Sequence, residues 1–287
     1  MLAVSVNGSP TIPEEVMADE NAYVTISNES TGKDVALPVK DAPFNKEKGG
    51  YKFSIPLAAK EASDIITAKV FGGEDSAITL IGERSGKDYT GTGVQYTLMR
   101  YFDWLEMNGS DDNEKAVGAT AKDYCASAQI YFKYNADGLN VSSAVDEVTA
   151  DTLSSYIAVR DGELPEGVSI DGISAMLESD NTLRLYFNFN NVNPDDLSFT
   201  IDGNNAVLKQ RSDGMYYLAL DEGVYSNRLQ DLHTYSVSDG ADTYTITASV
   251  LTFARSCVIK KKGTEAEKNI GKALYLYNRA AVAAFGK

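Results

Sequence analysis

KNIGKALYLYNRAAVAAF, from Lys268 to Phe285, aligns without a gap on KAVGATAKDYCASAQIYF, from Lys115 to Phe132. In the later stretch Ile270, Leu274, Tyr277, Ala281 and Ala284 fall at the spacing that lays one apolar stripe along a helix. The earlier stretch repeats the stripe with Val117, Ala121, Tyr124, Ala128 and Tyr131. Thr264 with Glu267, and Asp111 with Glu114, stand at capping-box spacing before the two stretches. A side-chain oxygen at such a position accepts from amides that a helix start leaves without partners. Gly286 is a stop signal for the second helix.

The match continues backwards in order. Val94, Leu98, Tyr101 and Leu105 make a further helical stripe, and Val250, Ala254, Cys257 and Val258 make its counterpart. DIITAKV (Asp64 to Val70) answers DLHTYSV (Asp231 to Val237), and YVTI (Tyr23 to Ile26) answers SFTI (Ser198 to Ile201). The separation between matched residues shrinks steadily from Thr25 and Thr200 to Phe132 and Phe285, as a diverged duplication with longer loops in its first copy leaves it. Before each helical pair the apolar residues alternate at period two, as in Leu183, Leu185, Phe187 and Phe189, and turns fall at Asp202-Gly203, Asp213-Gly214 and Asp239-Gly240.

Short strands and regular turns of this kind predict a mainly β protein with added helix: two tandem immunoglobulin-like β-sandwiches, each followed by a two-helix hairpin. The expected organisation is a first module over 1–137, a polar linker over 138–155 and a second module over 156–287. The second copy has a strand, Val168 to Leu177, ahead of Leu183, while the first copy starts at Leu2, Val4 and Val6 with no such leader. The expectation is a natural chain that extends upstream, or an edge filled by another element.

At 287 residues the chain can hold two domains with real cores, and 43% hydrophobic with 23% charged residues is an ordinary globular composition. A net charge of −15 argues against nucleic-acid binding, which needs Lys and Arg to displace counterions, and against docking on anionic lipid. No run approaches the roughly 18 apolar residues of a membrane span, so no membrane insertion is expected. MLAVSVNGSP lacks the basic and apolar regions of a signal peptide.

Candidate chemistry is sparse. His233 is the only histidine and takes the strand position that Ile66 holds in the first copy, so it reads as a semi-buried structural residue. Cys257, opposite Tyr101, and Cys125, beside Tyr124, read as small buried hydrophobes, too few and too distant for a zinc site. KYNADGLN fails as an EF-hand because Lys133 and Ala144 stand at its first and twelfth ligand positions. No catalytic residue, metal ligand or cofactor is expected. Trp104 reads as a seal between helix and sheet, with an exposed platform as the alternative. The long loop from Glu83 to Thr92, absent from the second copy, is the place for a copy-specific function. Trp104, Lys87 and Tyr89 are accordingly the candidate ligand contacts.

MADENAYVTI, SIPLAAKEASDIITAKV, KDYCASAQIYFKYNADGL, LESDNTLRLYF and KALYLYNRAAVAAF together resemble a duplicated C-terminal region of large exported cell-surface proteins of gut and rumen Firmicutes. The resemblance spans nearly the whole chain. It implies secretion or surface display, with neighbouring domains of a longer chain as partners, and it brings no catalytic motif. The implied role is a non-catalytic module that spaces or presents those neighbours. The alternatives are an adhesion module for a glycan, surface polymer or host ligand and, further off, a hydrolase.

Overall fold

The computed structural model describes residues 2–6, 19–45, 50–51, 53–76, 78, 87–177 and 181–286. It divides into a smaller compact unit, Leu2–Leu57 with Glu61–Tyr101, and a larger one, Ala58–Lys60 with Phe102 onward. In the smaller unit β2 (Tyr23–Asn28) alternates half-buried and buried side chains, so Val24, Ile26 and Asn28 face the core. Burying Asn28 requires a partner, and its amide donates to the Asp64 carboxylate at 3.0 Å. Strand β2 pairs with β3 (Lys33–Pro38) and with β7 (Ile66–Phe71), and β7 pairs with β8 (Val94–Tyr96), all antiparallel. Two short ribbons complete the unit: β1 (Leu2–Val6) with β6 (Phe53–Leu57), and β4 (Phe44–Asn45) with β5 (Gly50–Tyr51).

The larger unit carries two sheets. One runs β10 (Val168–Leu177), β11 (Asn181–Phe189), β15 (Tyr216–Ala219), β14 (Lys209–Gln210). The other runs β13 (Asn204–Asn205), β12 (Ser198–Ile201), β16 (His233–Ser238), β17 (Thr243–Ala248), β9 (Val159–Gly162). Its first four strands repeat the order β3-β2-β7-β8, and the register repeats too: Ile26 opposite Ala68 becomes Ile201 opposite Tyr235. The sheets meet where Phe187 sets its ring edge-on to Phe199 at 5.7 Å and where the buried Tyr235 hydroxyl donates to the Leu183 carbonyl at 2.8 Å.

Four helices follow the strands: α1 (Leu98–Asn108), α2 (Asp112–Phe132), α3 (Val250–Ile259) and α4 (Glu265–Phe285). Asp111 accepts from the Glu114 amide and Thr264 from the Glu267 amide, the two caps expected from their spacing. Within each helical pair a matched glycine sits at the closest approach. A Cβ on Gly118 would stand 2.5 Å from the Glu106 amide nitrogen, and one on Gly271 would stand 2.6 Å from the Ala254 carbonyl oxygen. The two long helices then pack on each other within the larger unit. Tyr124 of α2 stacks on Tyr277 of α4, its own counterpart in the repeat, with ring centroids 5.6 Å apart and planes 15° apart.

These findings correct the expected fold. The chain is a mixed α/β structure, with four helices and antiparallel sheets among the described residues, 34% helical; it is not two tandem immunoglobulin-like sandwiches each followed by a hairpin. The physical reason lies in the width of the helical faces. Beyond the Val117, Ala121, Tyr124, Ala128 stripe, α2 also buries Cys125, Ala126, Ser127 and Gln129, and α4 similarly buries Ala273, Tyr275, Asn278 and Ala280. Faces that broad need more cover than one sheet, and each long helix supplies part of it to the other. In the first half, moreover, β1 and β6 form a two-stranded ribbon where the second half builds a four-stranded sheet.

The register of the first helix of each pair also differs from expectation. Val94 is in β8, and the helix starts at Leu98 behind Thr97, whose hydroxyl accepts from the Arg100 amide. Its counterpart starts at Val250 behind Ser249, which makes a capping box with Thr252. Cys257 therefore answers to buried Leu105 rather than to Tyr101, which is exposed.

Candidate functional site

A cleft of about 400 Å³ opens in the larger unit, at one end of the sheet that contains β12 and β16. Its geometry starts with a two-residue hairpin. Asp202 and Gly203 link β12 to β13, both at positive φ (52° and 80°), the geometry of a type I′ turn. That turn aims the Asp202 carboxylate back at the start of β16. One oxygen accepts from the Thr234 amide at 2.7 Å, and the other lies 2.8 Å from Nδ1 of His233. The contact fixes the orientation of the imidazole ring at the wall of the cleft.

The opposite wall comes from the segment before β16. A 3-10 turn at Ser226–Arg228 is anchored by fully buried Leu229, and Arg228 Nε donates to Asp231 at 2.7 Å. Buried Asn278 of α4 holds this segment by donating to the Ser226 carbonyl and to the Gln230 side chain, each at 2.7 Å. Asp221 and Glu222 add carboxylates to the lining, and Tyr225 stands at its edge with 60% of its surface exposed. Val207 and Leu232, next in sequence to lining residues Ala206 and Asp231, are also exposed. The cleft thus combines carboxylates, one guanidinium, an imidazole, the Asn204 and Asn205 amides and a flat aromatic ring.

His233 is half-buried, as its strand position suggests. Its side chain is held by Asp202 at the cleft wall while the neighbouring Tyr235 is the one that is buried. The position equivalent to Asp202 in the first copy is Ser27, and Asp64 there is buried against Asn28 instead of opening on a cleft. The signal for the pair was present in the repeat itself: once β12 and β16 are registered, the residue after Ile201 must face Thr234 and its neighbour.

The residues singled out as ligand contacts do not gather at this cleft. Trp104 lies on α1 in the larger unit and is 52% exposed, so it does not seal helix to sheet; its carbonyl accepts from the Asn108 amide. Lys87 and Tyr89 belong to the smaller unit, where the Lys87 ammonium sits 5.0 Å above the Tyr89 ring. Residues 83–86 of their loop lie outside the described residues. Burial pushes the Cys125 thiol far up and the Cys257 thiol up to about 12. Among the described residues no group of three or more His, Cys, Asp or Glu could hold a metal ion, and no helix is long and apolar enough to cross a membrane. No protein-family model matches the chain, and neither a curated protein nor a solved structure does so.

Proposed function

We propose that the protein is a non-catalytic module of an exported bacterial protein, one that spaces or presents neighbouring domains at the cell surface. The observation that carries this reading is the joint between the helical pairs. The pair that follows the first set of strands is packed against the pair that follows the second, through matched residues Tyr124 and Tyr277. Glycines 118 and 271 bring each pair within backbone contact. A spacer needs such a joint, because closely packed helices resist bending where an open linker would not. The segment over 138–155 is tied down as well: Val145, Val148 and Leu153 are buried, and Ser142 bonds Asp123. The resemblance to exported Firmicutes surface proteins supports the location.

Antibody raised against the folded protein tests that location on cells that make it naturally. Intact, unpermeabilised cells or their culture medium are expected to carry the label. Labelling only after lysis would overturn the reading.

A further inference from the structure

The cleft between the Asp202-Gly203 turn and the Ser226–Asp231 segment has no part in a spacer, and we infer that it is a binding site for a neutral saccharide. The argument begins with size: about 400 Å³ lies within the range of small-molecule sites, roughly 300–1,000 Å³. It continues with order. Asp202 is fixed through both oxygens, by Thr234 and His233, and Asp231 is held by Arg228, so these groups are set before a ligand arrives. Planar carboxylates and a guanidinium in fixed orientation match the adjacent hydroxyls of a sugar, each of which both donates and accepts.

Charge then excludes alternatives. Asp202, Asp221, Glu222 and Asp231 face the lining with Arg228 as its one permanent cation, so phosphates, nucleotides and acidic sugars are repelled. The rim decides between the classes that remain. A metal ion finds no group of three or more His, Cys, Asp or Glu to hold it among the described residues, whereas a pyranose has an apolar C–H face to lay on Tyr225 and a polar edge to turn inward. The first copy gives an internal contrast, because the position of Arg228 is held by Glu61, which pairs with Lys33, and Asp64 is buried against Asn28. The first copy thus places different groups at the positions that line the cleft in the second.

The test is saturation-transfer NMR on the full chain with cellobiose, maltotriose and tri-N-acetylchitotriose as probes, spermidine and calcium being run in parallel. At least one saccharide should receive transfer. Tyr225→Ala should weaken its binding roughly ten-fold, the weight of one aromatic contact. Glu222→Gln, on an exposed loop, provides a second variant that should also alter affinity. No transfer to any of the three saccharides would overturn the inference, as would transfer unaffected by both substitutions. Binding of spermidine or calcium alone would likewise overturn it and mark the cleft as a cation-attracting surface. None of these outcomes bears on where the protein is located.

Discussion

Asp202 stands one residue beyond the end of β12, and its positive φ together with that of Gly203 decides where His233 is held. At the same scale, Cys125 and Cys257 define the interior by their inertness. Both thiols are buried, and burial disfavours the thiolate that reagents attack. At mildly alkaline pH a thiol-reactive dye should therefore label neither cysteine in the folded chain and both in guanidinium. Rapid labelling of either one under native conditions would contradict this placement. The cysteines were legible as buried hydrophobes because each lies on or beside a helical stripe. The half-burial of His233 was legible from its strand, but its contact with Asp202 only through the register of β12 on β16, because a strand position alone reports the face of a residue. Trp104 failed for a related reason: a residue flanking a stripe can fall on either side of the burial boundary, and its register was set by Thr97 and Leu98 rather than by Val94.

At the scale of elements, the matched glycines are the sharpest feature. Alanine usually stabilises a helix interior by about 1 kcal/mol relative to glycine. At Gly118 and Gly271, however, the added carbon would meet backbone atoms of the neighbouring helix, which cannot turn aside. Overpacking of that kind costs about 1–3 kcal/mol. Gly118→Ala and Gly271→Ala should each lower the unfolding midpoint in thermal or urea denaturation. Gly172→Ala, in a strand with nothing within 4 Å of the added carbon, serves as the near-neutral control. A rise in stability for both helical variants would mean that the helices do not approach so closely. The two long helices were readable from sequence to within a residue at their caps, since Asp111 and Thr264 carry a local chemical signal. Their mutual packing was not, because a stripe shows that a face is buried without naming what buries it.

At the scale of the whole molecule, the duplication is visible in both halves of the chain. Strand order β3-β2-β7-β8 returns in β13-β12-β16-β17, the caps return, the glycines return, and Tyr124 meets its own counterpart. A residue that contacts its equivalent is the mark of a self-complementary interface, of the kind two-fold dimers use. Here it is closed within one chain. On α4, Asn278 reaches the Ser226–Arg228 turn. The stack joins the two long helices within the larger unit. It is also the point on which the spacer reading depends.

Hydrogen exchange measured amide by amide in the intact chain, with and without Tyr124→Leu, tests that claim most directly. Amides in the middle of α2 and of α4 should open together in the wild-type chain, with one shared free energy. The substitution should remove roughly 1–3 kcal/mol of protection from both helices equally. Loss of protection in α2 with α4 unchanged would show two independent hairpins and contradict the joint.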